Sequence, residues 1–403
     1  MKSIIILISM VLIFNKLSEQ KGNKPEPIII NIAESFKNPQ DLPISKYVDN
    51  INYVPLETTP ELVLGRNARI EVTEDFIYVK DIGIGQRARL LLFDKNSGKF
   101  LREVSKAGRG PGEFNNSSRL PYNSGRKEFY AMGPSNEILV YDLSGKYIQE
   151  VKTPGWIDPK GLGISKNTSC IPLSILDNDI FVATISNLTG WQKRKIVLFT
   201  KEKIIRIFPN YQTYNKTDPL SYYSPPGGFN KIYKWDKKLF YIETFSDTLY
   251  QVTQNALLPR YFFDSGKYRA QYSKQFEIMD RRQTSDYYFI TEIDENSNYI
   301  FIQIYFKNEP YTGVLDKSTN LVTFCKKGTS CAGLRDDFNG LMDIMPFAFT
   351  EKNEMVFIIE PAGLLKWLND NPEKAALAKT KLPWIRKIDE MSNPIIAIAK
   401  CKN

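Results

Sequence analysis

The hydrophobic pattern of this chain consists of short apolar runs that stop abruptly on a polar turn. Residues 90–104, LLLFDKNSGKFLREV, carry the clearest copy. Leu91, Leu92 and Phe93 form the apolar run and Asp94 ends it. Asn96-Ser97-Gly98 supplies turn chemistry, and an alternating segment starts at Lys99-Phe100-Leu101. The pattern predicts two strands joined by a tight turn. Residues 138–151, ILVYDLSGKYIQEV, repeat it with Asp142, Ser144-Gly145 and Lys146 in the corresponding places. Weaker copies occupy residues 196–208, 248–263 and 311–324. Aligned on the residue that ends the run, the series is Asp94, Asp142, Thr200, Thr253 and Asp316, at intervals of 48 to 63 residues. Propeller blades usually repeat every ~40–50 residues, so these intervals predict four-stranded blades with long connections.

Further strands fall in the same order. Residues 69–73 and 76–80 are split by Glu74-Asp75, and residues 230–235, 239–244, 287–293 and 299–305 lead into later copies of the hairpin. The last unit is irregular. Strands at 347–350 and 355–360 precede a helix over 361–369, with Leu364, Leu365 and Leu368 on one face. An Ala-rich helix over 372–381 follows, with Pro at its first position. A lone strand, NPIIAIAK, ends the chain at 393–400, and another near Tyr53 begins it. Pairing the two in one blade would close the ring and remove exposed strand edges. The expected fold class is all-β: a six-bladed β-propeller of four-stranded antiparallel blades over residues 51–403, with short helices in the last blade. Residues 21–50 read as a polar N-terminal segment with one apolar run at 28–32.

Composition narrows the chemistry. Aromatic residues make up 13%, with 22 Tyr and 24 Phe, which favours pleated, half-buried surfaces. The net charge of +9 is compatible with an acidic partner, but Lys and Arg are spread along the chain with no basic arm. There is no His, which removes Ser-His-Asp and Cys-His catalysis and every His-ligated metal site. Carboxylate, Lys or Tyr chemistry and oxygen-ligated Ca²⁺ stay open. Of Cys170, Cys325, Cys331 and Cys401, the second and third bracket KKGTS; a disulfide there and two free thiols are both open readings. Lys2 and the apolar stretch 4–14 form an export signal over residues 1–20, with a retained N-terminal membrane anchor as the alternative. Export places the chain in the periplasm or cell envelope and conflicts with a nucleic-acid partner.

The candidate site residues lie in connections, because strands in a propeller are occupied by packing. GRGPGEF at 108–114 fixes a sharp backbone path whose amides could form an anion nest beside Arg109 and Glu113; the alternative is a linker that only turns the corner. Asp336-Asp337, Asn339 and Asp343 offer oxygen ligands for a channel Ca²⁺, without EF-hand spacing. Otherwise no cofactor is expected. Long insertions at 155–178, 210–228, 265–285 and 326–345 bring Trp156, Tyr211, Tyr214, Tyr222, Tyr223 and Phe338 together with Lys160, Lys216, Arg335 and Asp336. Aromatic faces mixed with charge suit a protein or carbohydrate ligand at the channel mouth; covering blade edges is the competing role. Ser224 has no base to activate it.

Several motifs occur in one order: Tyr53-Val54-Pro55-Leu56-Glu57-Thr58, the Phe-Asp-turn-Gly-Lys hairpin, GRGPGEF, Ser246-Asp247-Thr248-Leu249-Tyr250 and Asn393-Pro394-Ile395-Ile396. In this the chain resembles the Bacteroidetes six-bladed β-propeller family over about residues 45–400, and more distantly NHL-repeat and TolB-like propellers. The resemblance implies an exported protein, often a lipoprotein, with no assigned activity. This sequence departs from the family in lacking a lipobox cysteine. The expected function is a non-enzymatic binding or scaffold module for an envelope protein or glycan. A carboxylate- or metal-dependent hydrolase or lyase at the channel is the alternative.

Overall fold

The apolar runs prove to be buried on both faces. In the first blade, Phe76, Tyr78, Leu90 and Leu92 pack against Phe129, Ala131, Leu139 and Tyr141 of the second. The residues between them, Ile77, Val79, Leu91 and Phe93, pack the other way, against Val54, Val356, Ile396 and Ile398. Side chains alternate across a strand, so a sheet buried on both sides needs apolar residues at successive positions. The same two-sided packing continues from blade 2 to 3, 3 to 4, 4 to 5 and 5 to 6. This computed structural model describes residues 26–65, 68–81, 88–115, 121–157, 173–177, 179–218, 224–280 and 283–402. The export signal lies outside them. Among the described residues no helix is long and apolar enough to cross a membrane.

The six sheets are antiparallel and four-stranded, and the fourth carries one extra strand. The sixth runs Ala348–Phe349, Glu354–Ile359, Ile395–Cys401 and Val48–Pro55, so both ends of the chain share one blade, as the sequence predicts. Its helices, Pro361–Asp370 and Pro372–Lys381, sit between the second and third strands. The five aligned hairpin positions do one job. Asp94, Asp142 and Asp316 accept the Ser97, Ser144 and Ser318 amides at 2.8, 2.8 and 2.9 Å, and Thr200 and Thr253 accept the Lys203 and Ala256 amides at 3.3 and 2.9 Å. The serine hydroxyls bond the same three carboxylates, holding them below their ordinary pKa.

Closure is fastened at the seam between blades 6 and 1. Asn393 is buried and fully bonded: Nδ2 donates to Glu57 O and Leu62 O at 2.7 Å each, and Oδ1 accepts the Leu64 amide at 2.8 Å. The Glu57 amide donates to Gly98 O at 2.8 Å, and Glu57 Oε2 accepts the Phe100 amide at 2.8 Å.

Residues 26–47 do not stand apart from the ring as a polar segment; they form a strap along its outer side. Ile28–Asn31 pairs in parallel with Leu257–Asp264, the outer strand of blade 4. Phe36 then sits among Tyr288, Phe306, Tyr311 and Phe324 of blade 5, with ring centroids 4.9–5.6 Å apart. Leu42, Ile44 and Tyr47 finally enter the core shared by blades 5 and 6. Cys325, Cys331 and Cys401 are free thiols, and Cys331 Sγ donates to Asp343 O at 3.3 Å.

Gly98 supplies an internal test of the seam. Its φ is +71°, and a Cβ there would lie 2.1 Å from Pro55 O. Gly340 has nearly the same φ, +70°, but nothing within 4 Å of an added Cβ. Gly340→Ala should therefore cost only the left-handed backbone term, about 1 kcal/mol. Gly98→Ala should add a clash that a strand carbonyl cannot relieve, for about 2–4 kcal/mol in total. Denaturant unfolding of both variants measures this; equal losses would show that the seam does not depend on the close approach.

Candidate ligand-binding site at the channel mouth

The first strand of each blade lines the axis, and its turn into the second strand faces one end of the channel. Glu74, Ser124, Asp177, Lys234, Glu295 and Glu351, one from each blade in order, border a single cavity of about 990 Å³. Short turns make this possible. Asn123 Oδ1 accepts the Gly125 and Arg126 amides at 3.1 and 3.2 Å, Asn296 Oδ1 accepts the Tyr299 amide at 2.8 Å, and Asp236 and Lys237 adopt positive φ of 49° and 58°. Tight turns keep these polar side chains close to the axis.

Blade 6 contacts turns of blades 1 and 2 across the opening. Ser124 Oγ donates to Glu351 Oε2 at 2.8 Å, and Lys352 pairs with Glu74 at 3.2 Å. Deeper on the rim, Lys95 pairs with Glu354 at 2.6 Å, joining blade 1 to blade 6. Glu295 is buried and ion-paired with both Arg260 and Lys317, and Tyr233 donates its hydroxyl to it at 2.9 Å. Lys317 Nζ also stands 3.8 Å from the Trp235 ring centroid. Burial and the Glu295 charge push the Tyr233 hydroxyl well above its ordinary pKa. Lys234 is different. Burial lowers its ammonium pKa against the opposing pull of Glu351 and Asp177, and it has no hydrogen bond or ion pair among the described residues. Among the described residues the mouth therefore offers, in Lys234, an uncommitted cation flanked by two carboxylates.

None of the described candidate-site residues singled out from sequence borders this cavity. The linkers that hold them re-enter each blade at the other end of its first strand. In GRGPGEF the anion nest is filled from within: Glu113 Oε2 accepts the Gly110 amide at 2.9 Å, and Tyr141 donates to Gly112 O at 2.7 Å. Arg109 is exposed beside it. Arg335 Nε bonds both oxygens of Asp41 on the strap at 3.0 Å. Asp336 is buried, accepts the Tyr53 hydroxyl at 2.6 Å and takes the Phe338, Asn339 and Leu341 amides. Asp337 bonds Ser45, and Asp343 takes the Thr329 amide at 2.6 Å. These carboxylates brace the linker, and among the described residues no three His, Cys, Asp or Glu side chains are placed to hold a metal ion. Tyr214 is buried and donates to Asn187 O at 2.7 Å, whereas Tyr211 is exposed. Tyr222, Tyr223 and the Trp156 side chain lie outside the described residues. The turns that do form the mouth carry one to three polar residues each at the cavity, and ring closure brings them together.

Six blades around a polar axial cavity define a six-bladed β-propeller. The chain belongs to the family described as domain of unknown function DUF4934, which matches residues 27–400. No curated protein matches it. Among solved structures it is similar to a Bacteroides fragilis protein described as exported, at 16% identity and a TM-score of 0.65, over 94% of this chain and 100% of that one. It is also similar to a member of the DUF4221 family from Bacteroides vulgatus, at 10% identity and a TM-score of 0.53, over 88% and 98% of the two chains. At such identities the likeness shows the fold alone, and it agrees with the Bacteroidetes propeller resemblance read from the motifs.

Just below the mouth, Asp294 accepts the Glu295 and Phe349 amides at 2.8 and 2.9 Å. Burial nevertheless pushes its carboxyl up to about 8. A folded-state pKa above the unfolded one means that folding retains a proton which the unfolded chain releases. That contribution to stability is full below about pH 4 and is lost as pH rises through the folded value. Wild type should lose roughly 3–4 kcal/mol more than Asp294→Asn between pH 5 and pH 8. Denaturant titrations of both proteins at several pH values measure it; parallel curves would show that Asp294 is ionised throughout.

Proposed function

We propose that this protein is an exported cell-envelope propeller that binds a protein or glycan partner at the axial mouth. The observation that carries the reading is the cavity itself: all six blades contribute to it, with both signs of charge and an unpaired Lys234. A site built for recognition needs donors and acceptors already in place, so that little ordering is left to binding. The ties from Glu351 to Ser124 and from Lys352 to Glu74 supply that preorganisation. The export signal and the exported Bacteroides fragilis relative support the location. A hydrolase or lyase is less well supported, because the carboxylates of the mouth are spread over separate blades and Glu295 is neutralised by two cations.

A pull-down from envelope extracts tests this with three baits: wild type, Lys234→Ala/Glu351→Ala, and Tyr222→Ala/Tyr223→Ala. The mouth variant should weaken capture at least tenfold, equivalent to about 1.4 kcal/mol. The tyrosine variant should capture normally. The reverse result would move the site from the mouth to Tyr222 and Tyr223, and full capture by both variants would overturn a site at either place.

A further inference from the structure

The mouth does not end at the turns of blades 2 and 3. Ser124 and Gly125 face the axis, but the next residue, Arg126, lines a second cavity of about 410 Å³. In blade 3, Asp177 borders the axial cavity and Asp179 borders the second one. Neighbouring residues of the two turns thus border both spaces. Beyond them a groove follows the seam between the blades, past Gln149 on the outer strand of blade 2, to Lys201 and Glu202 in the hairpin turn of blade 3. Its outer end lies on the half of the ring that the strap leaves uncovered, because residues 26–47 run along blades 4, 5 and 6.

The lining identifies the ligand chemistry. Tyr130 and Phe181 form the floor, but they are buried in the blade interface with ring centroids 5.3 Å apart, and offer no open face. What faces the groove is Arg126, Glu128, Gln149, Asp179, Lys201 and Glu202. Protein interfaces concentrate their energy in desolvated aromatic and apolar anchors and deplete charge at the core. Small-molecule pockets are mostly apolar. A strip of charged and amide side chains of both hydrogen-bonding senses instead matches a chain of hydroxyl groups, each of which donates and accepts. Arg126 and Asp179 pair across the seam, and both are exposed, at 37% and 68%. Such a pair is worth about 0–1 kcal/mol, so a ligand can replace it cheaply.

We infer that the axial mouth and the groove between blades 2 and 3 form one continuous site for an extended oligosaccharide, laid from the axis outward. This rests on the proposed binding role and narrows it to one ligand class and one direction.

A glycan array printed with di- to decasaccharides tests it, probed with wild type, Lys234→Ala and Arg126→Ala/Lys201→Ala. Wild type should bind long chains about tenfold more tightly than short ones of the same composition. Arg126→Ala/Lys201→Ala should abolish that gain and leave the short-chain signal unchanged, while Lys234→Ala should weaken both. Length-independent binding, or a gain that survives the groove variant, would overturn the groove and leave the mouth intact. No array signal together with Lys234-dependent capture of an envelope protein would overturn the glycan assignment while sustaining the binding role. No signal in either assay would overturn both.

Discussion

The structure depends on apolar packing between blade faces. Each blade gives alternate residues of its middle strands to one neighbour and the intervening ones to the other. Burying one Leu, Ile or Phe side chain contributes about 1.5–3 kcal/mol. Each of the interfaces between consecutive blades buries seven or more Val, Leu, Ile, Phe or Met side chains. Losing one interface would therefore exceed the ~5–15 kcal/mol that separates most folded domains from their unfolded state. No blade can leave the ring alone, so how the ring closes matters more than any one hairpin.

Closure here is non-covalent, because the outer strand of blade 6 comes from the far end of the chain. Val48–Pro55 zips against Ile395–Cys401, and the motifs that carry the family resemblance meet where that zip ends. Glu57 bonds the Gly98 hairpin, and Asn393 bonds Glu57 and Leu62. Gly145 repeats the Gly98 arrangement one blade on: a Cβ there would lie 2.5 Å from Val104 O of the preceding outer strand. In blades 1 and 2 the hairpin glycine thus lets the turn press on its neighbour's backbone. These motifs mark the mechanics of the ring rather than a site.

The repeat was legible because two-sided burial forces apolar runs, and the capping Asp or Thr marks their ends with a residue type that has a physical task. The final helices were legible through Pro361 and Pro372 at their first positions. The strap was not. Ile28–Asn31 is four residues long, and its partner strand lies more than two hundred positions away, so nothing local distinguishes it from a solvated segment. The site was hidden for a related reason. The glycines of GRGPGEF announce a nest but do not say that Glu113 fills it. The turn residues Glu74, Ser124 and Lys234 carry no signature until ring closure gathers them.

The two ends of the channel have accordingly become different kinds of surface. At the linker end the polar groups are spent on the fold: Asp336 on Tyr53, Arg335 on Asp41, Tyr214 on the Asn187 carbonyl, Glu113 on its own loop. Long connections need such bracing, because ordering each residue costs about 1–2 kcal/mol and linkers bury little apolar surface in return. The short turns at the other end are held by their own backbone bonds and need no bracing from outside. Some of their side chains tie one turn to another, as Ser124 does with Glu351, while Lys234 stays open, and all are fixed to strands that two-sided packing holds in place. A recognition site at the end with the shorter connections, as proposed, would take its positional precision from the blades, and its side-chain chemistry could vary without cost to closure.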